Sequence, residues 1–562
     1  MAAGTANEEV AELRGNNKEG VCWLKADIVF INGEVITVNQ KNEVAEALAI
    51  NGDRISAVGT NQEIKVFIGE ETNVIDLQGK SLLPGFIDSH IHLILYGVNQ
   101  LAVSCKAEHI KSVDDLLIDL KKKASTIPKG EWIRAWGFNE TAVKEKRYPT
   151  IAELDAISTD HPIIVNRTCS HISVVNSRAL EIARIDENSE NPTGGIIEKN
   201  GAGRITGKLI ETANMIMADR ASYSESELLK AVKIASEHFI EAGITSIHEA
   251  GAHGPESFRL MQQAIKNKDI RVRIYAMVGS LNNSHEFVNK MVDSGVITGT
   301  GDDRFKIGPA KLFTDGSSTG PTIATREPYS SDPGYSGILY YKEEEIYQVL
   351  GQAHKKGYQI TVHAQGDRAI EMYLNCVEKA LNESPRKDHR HRIEHAGISS
   401  PDLQKRMKEL GVIPIPNPPF PYEFGDIYIE HYGNRVNHMY AARDFIDNGI
   451  LAAAGSDAPV TDHDPILGIH VAVNRTSRSG TKIGAIQSIS VLEAIKLYTR
   501  NGAFASFDED VKGSLEAGKL ADLVVLNDSI LKVDSQNIKD LKVESTILNG
   551  EILYHRETMV EI

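Results

Sequence analysis

Residues 84–93 read PGFIDSHIHL. His90 and His92 stand one residue apart at the end of an apolar run, and Asp88 precedes them by two. Residues i and i+2 of a strand share a face, so both imidazoles point the same way, and Asp88, on that side too, could orient them. Similar polar tips recur: Lys311 in PAKLFTDG, His363 in TVHAQGD, His395 in RIEHAG and Asp457 in AAAGSDAPV. Alone, each would be a costly buried group. Together, neutral imidazole nitrogens and hard oxygens suit a divalent cation: zinc, and also manganese or iron. The four cysteines, Cys22, Cys105, Cys169 and Cys376, lack paired metal-ligand spacing, so nitrogen and oxygen must hold any metal, and Cys169 reads as structural.

For these tips to meet, the strands that carry them must converge. Eight apolar runs qualify: LLPGFIDSHI (82–91), GITSIHEA (243–250), RVRIYAMVG (271–279), FKIGPAKLF (305–313), YQITVHA (358–364), HRIEHAG (391–397), GVIPIPN (411–417) and ILAAAGSD (450–457). From the second onward they alternate with helix-like segments such as 226–243 and 342–357, each ending in glycine. This predicts an α/β fold, a (β/α)8 TIM barrel over 84–509, with the polar residues at its C-terminal mouth. About 150 residues separate the first two strands, which predicts a large α+β insertion over about 97–235, placed as a lid. Its Gly-rich stretch 191–207 lacks a strand–GxGxxG–helix context, so no dinucleotide is expected.

The two ends look alike. Residues 26–38, 48–59 and 544–554 each carry Asn-Gly between β-rich runs, a hairpin signal, and 519–527 reads as another strand. We expect a composite β-sandwich from 25–83 and 510–562, preceded by a flexible tail, 1–24. The net charge of −16, with no basic stripe, argues against nucleic acid or an anionic membrane as partner, and no apolar run approaches a bilayer span. The polar, acidic N-terminus lacks a signal-peptide core, so the expectation is a cytoplasmic protein. A small-molecule substrate and a homodimer complete the expected partners.

These motifs resemble the metal-dependent amidohydrolase superfamily, and more narrowly amidohydrolase family 3, which includes N-substituted formamide deformylases. PGFIDSHIHL is similar to its first-strand metal motif, and GKSLLPGFID with GSLEAGKLADLVVLN to its sandwich junctions. WGFNET, HISVVNSRAL, GPAKLFTDGSSTGPT, VHAQGDRAI, RIEHAG and GSDAPV follow in family order, and the similarity runs over roughly 40–560. The resemblance implies a metal hydrolase and carries His90, His92, His363, His395 and Asp457 as metal or catalytic positions. Lys311 resembles the lysine that a subset of the superfamily converts to a carbamate. Unmodified, it would be an ammonium unable to ligate a cation.

The resulting expectation is hydrolysis of a non-peptide amide C–N bond, in an N-substituted formamide or a related N-acyl or cyclic amide, by a metal-activated hydroxide. His90, His92 and Asp457 would hold one zinc, His363 and His395 a second, with carbamylated Lys311 bridging and Asp457 moving the proton. A mononuclear site, with Lys311 structural, is the nearest variant. A mononuclear amidine or aminoheterocycle deaminase is the alternative activity, and a catalytically silent metal-containing binding protein the third. Candidates for touching substrate are His171, His248, Trp136, Phe420 and Arg326, with Arg475 a further possible carboxylate partner.

Overall fold

The computed structural model describes residues 25–105, 109–167, 172–192, 195–251, 254–280 and 283–556. The expected tail, Cys169 and His171 lie outside them. No helix among the described residues is long and apolar enough to cross a membrane.

Seven parallel strands form one sheet in sequential order. They are β1 (Phe86–Ile91), β2 (Ile244–Glu249), β3 (Arg273–Val278), β4 (Phe305–Phe313), β5 (Ile360–Ala364), β6 (Arg392–His395) and β7 (Ile413–Ile415). All six residues of β1, β2 and β3 are buried, as a sheet covered on both faces requires. Helices such as Asp367–Glu383 and Pro401–Leu410 connect successive strands.

The eighth strand is not there. Residues 453–457 do bridge the gap: Ala453 and Gly455 donate to the carbonyls of Pro414 and Pro416, Ser89 donates to Ala454, and Asp457 to His90. A strand residue presents its N–H and C=O to the same neighbour, and Pro414 and Pro416 have no N–H. Half of the ladder on that side is therefore missing, and Asp457, at φ 60°, leaves the extended path. The barrel is nearly closed, by seven strands and an irregular segment.

Both chain ends build two further sheets. One has four strands, from Ile28–Ile31, Ala47–Asn51, Arg54–Gly59 and Asn73–Asp76. The other has six and joins Glu34–Ile36, Val44–Ala45 and Ser81–Pro84 to Leu523–Leu526, Val543–Leu548 and Glu551–His555. Phe30, Leu48, Leu82, Leu523 and Ile547 share one core. Asn549-Gly550 and the turn after Asn51 make the expected hairpins. Asn32-Gly33 does not: the strands on its two sides belong to different sheets, so this turn is a corner between layers. The run 82–91 also divides. Ser81–Pro84 pairs with Leu523–Val525, and β1 begins after Gly85, where any side chain would collide with Thr245.

These sheets and the barrel make one compact unit, and Leu93–Ala235 makes another. The second unit has its own mixed six-stranded sheet and helices such as Val113–Ala124, capped by Ser112. Its core includes Leu116, Leu120, Phe138, Leu154 and Val165.

Candidate metal centre

The end of β1 and the segment 456–458 are stitched together by Asp88. Its buried carboxylate accepts from the backbone N–H of His90 at 3.1 Å and of Ser456 at 3.0 Å. Burial pushes its pKa up to about 7, against those hydrogen bonds. The N–H of Asp457 donates to His90 O at 2.7 Å, and that of His92 to Ala458 O at 3.0 Å. Asp457 Oδ1 consequently lies 3.4 Å from His90 Nε2 and 3.2 Å from His92 Nε2. Among the described residues these three form a buried group whose ligand atoms could hold one ion. Burial disfavours the Asp457 carboxylate, but the imidazoles of His90, His92 and His395 around it outweigh that and hold the group well below the usual range.

The chemistry of the donor set fits a cation. His90 Nδ1 sits 2.6 Å from Glu394 Oε2. Arg392 grips the same carboxylate, and although burial opposes the charge, that guanidinium keeps Glu394 ionised. An ionised carboxylate only accepts, so a proton is on Nδ1, and in the neutral ring the lone pair is then on Nε2. That lone pair, fully buried, has no hydrogen-bond partner and faces an anionic oxygen. Two acceptors aimed at each other in a dry site call for a positive charge between them.

His363 and His395 stand alongside, with ring centroids 4.4 Å apart, and His395 is 4.6 Å from His90. His363 Nε2 is bonded to Gly316 O at 3.0 Å, which leaves Nδ1 bare. His395 Nδ1 bonds Asn417 Oδ1 at 2.8 Å, which leaves Nε2 bare. Asn417 Nδ2 donates to Gly455 O, so its oxygen is the acceptor. Burial keeps both rings neutral, His363 at a pKa of about 4 and His395 well below its ordinary value. His395 and Ala396 both have positive φ, 72° and 47°, a strained exit from β6.

Lys311 is fully buried in β4. Its Nζ has no hydrogen-bond partner and lies 4.6 Å from the Phe313 ring centroid. Burial pulls its pKa down to about 8, against the carboxylates of Glu394, Asp457 and Glu249.

The substrate candidates sit on different elements. His248 is completely buried, with Nδ1 accepting from Arg392 at 2.8 Å. Phe420 is buried with its ring 6.2 Å from that of His395. Arg326 is engaged by Glu371 and Asp402, both at 2.8 Å. Arg475 is buried, its donors spent on the carbonyls of Ile483, Met439 and Tyr440. Trp136 lies on the strand Ile133–Phe138 of the second unit.

Arg392, Glu394, Thr361 and Asn417 were not singled out from the sequence. Arg392 and Glu394 were nonetheless readable: two opposite charges at i and i+2 of a buried strand must be paired inside the barrel.

The chain is similar to known proteins over most of its length. The model of the Amidohydrolase family matches residues 73–554. "Putative amidohydrolase YtcJ" of Bacillus subtilis is 30% identical over 550 residues, 94% of this chain and 99% of that one. The N-substituted formamide deformylase of Arthrobacter pascens is 28% identical over 546 residues, 94% of this chain and 98% of that one. The crystal structure of an uncharacterized metal-dependent hydrolase from Pyrococcus horikoshii superposes with a TM-score of 0.75 at 26% identity, covering 90% of this chain and 99% of that one.

Proposed function

Because the chain belongs to the amidohydrolase family and is an enzyme that hydrolyses C–N bonds, we propose that its substrate is a small non-peptide amide, an N-substituted formamide or a related N-acyl or cyclic amide. The observation that carries the reading is the meeting of His90 Nε2 and His92 Nε2 on Asp457 Oδ1, with the His90 lone pair unsatisfied. In this reading His90, His92 and Asp457 hold one divalent cation, and His363 and His395 a second. Lys311 joins them as a carbamate: the neutral amine adds to CO2, forms an N–C bond and loses a proton. When bound, the cations supply Lewis-acid polarisation of the amide carbonyl and lower the pKa of water.

The chain's residues supply the rest. The ionised Asp457 accepts the proton of the attacking water and returns it to the amide nitrogen as the C–N bond breaks, leaving a carboxylic acid and an amine. Asp88 keeps Asp457 in register with His90 through Ser456. The near full-length likeness to an N-substituted formamide deformylase supports the formyl end of the substrate range.

Turnover of N-substituted formamides, N-acyl amines, cyclic amides and aminoheterocycles, with elemental analysis of the same sample, tests this. Amine release with bound divalent metal is expected. Full activity in metal-free protein, or ammonia release from aminoheterocycles alone, would overturn it.

A further inference from the structure

Below His90, Arg392 and Glu394 occupy i and i+2 of β6, both completely buried. Arg392 Nε lies 2.9 Å from Glu394 Oε1, and Nη2 2.9 Å from Oε2. Thr361 on β5 donates to Oε1 at 2.7 Å. Arg392 Nη1 reaches His248 Nδ1 on β2 at 2.8 Å, and Nη2 reaches Ser89 O on β1 at 2.7 Å. One ion pair thus fixes two imidazoles in opposite tautomers. Glu394, which only accepts, receives a hydrogen bond from His90 Nδ1–H; Arg392, which only donates, leaves His248 its proton on Nε2.

The consequence for His90 follows from what lies on its other side. Were its proton on Nε2, it could donate to Asp457 Oδ1, 3.4 Å away. That bond would satisfy both groups without a cation and compete with metal binding. We propose that Glu394 is a positioning residue that excludes this competitor, holding His90 in the Nδ1–H form, with Arg392 and Thr361 keeping Glu394 in place. The pair is internally neutral, so it orients the imidazole without adding net charge beneath the ions. The inference rests on the reading of His90 as a metal ligand.

Two measurements test it. Nitrogen-15 NMR of the metal-free, full-length protein, with the His90 signals assigned by their loss in His90→Asn, should show His90 as Nδ1–H. A proton on Nε2, in the other tautomer or in a doubly protonated ring, would overturn the proposal. Zinc titration of metal-free Arg392→Met/Glu394→Met should show affinity lowered by about 10–100-fold. Arg392→Met/Glu394→Gln, which restores an acceptor, should recover part of it at equal thermal stability. Unchanged zinc affinity with an unchanged tautomer in the Met/Met protein would refute the role. Should neither double variant fold, the wild-type tautomer still decides. Failure of the wild type to bind zinc while His90 is Nδ1–H would sink the metal reading and leave the tautomer assignment standing.

Discussion

Asp457 carries the heaviest load at the scale of single residues, because one carboxylate both faces two imidazoles and is assigned the proton transfer. Asparagine has the same shape but cannot carry the charge or hold the proton. Asp457→Asn should therefore lower kcat by at least about 10³-fold with the circular dichroism spectrum unchanged; a kcat within tenfold of wild type removes the assigned role. Lys311→Ala should lose most activity and one of two metals, and added acetate or propionate should restore part of both by filling the anion's place. Lys311→Arg should stay inactive with or without the acid, because guanidinium remains charged. Two metals and normal turnover in Lys311→Ala without added acid would refute the bridge. His90, His92 and Asp457 were legible in the sequence as polar ends of apolar runs, and the structure brings them together. The layer beneath them is less legible, because the two charges before the histidine in RIEHAG match no metal-ligand or catalytic spacing. A buried charge is invisible in composition; only its strand parity gives it away.

Regular elements were legible where one signal dominated: a continuous apolar run for each parallel strand, a closing glycine for the helical segments 226–243 and 342–357. They were misread where the signal was local and the outcome was not. ILAAAGSD has the apolar content of a strand, yet its neighbour β7 offers prolines in place of donors. Asn32-Gly33 has the chemistry of a hairpin, but its flanking strands find partners in separate sheets. A further feature at this scale is a chain of neutral histidines at the start of β5 and β6. Ile360 N–H donates to His391 Nδ1 at 3.1 Å, His391 Nε2 lies 2.9 Å from His354 Nδ1, and His354 Nε2 reaches Ser384 O at 2.7 Å. His389 Nδ1 accepts from His391 N–H while its Nε2 reaches Leu410 O. Protonating any accepting nitrogen breaks a bond. Burial holds all three below their ordinary value, His389 at about 4, with Arg386 and Lys355 adding to the effect and Asp388 opposing it. The unfolded chain, with histidines near 6.5, binds more protons between pH 6.5 and 4, so stability falls as pH falls through that window. The expected loss from His389 is on the order of 2 kcal/mol. Urea unfolding at pH 7 and pH 5 should show it. His389→Gln, which keeps an acceptor and a donor but does not titrate, should flatten the slope; identical slopes would refute the account.

For the whole molecule the decisive fact is that sequence-distant segments complete one another. Arg273 of β3 forks onto Asp522 at 2.7 and 2.9 Å, both buried, and Asp522 also accepts from Asn549 N–H. Arg273→Met strands that carboxylate and should destabilise the protein by about 3 kcal/mol, read as a lower urea midpoint at pH 7; a shift under 1 kcal/mol would mean the fork is dispensable. The sheet that joins the chain ends also has a consequence in time. Leu83 pairs with Val524, a partner 441 residues later. At the usual pace of synthesis, about 5–20 residues per second, Ser81–Pro84 waits roughly 20–90 s for that edge to be covered. Throughout that wait the nascent chain presents an apolar strand with unpaired N–H and C=O groups, open to other chains on the same messenger. Protease protection of Ser81–Pro84, on ribosomes stalled behind an added C-terminal linker, should therefore appear only once Leu523–Leu526 has left the exit tunnel. The expression yield of this enzyme should depend more on what shields its first 84 residues during translation than on the stability of the finished barrel.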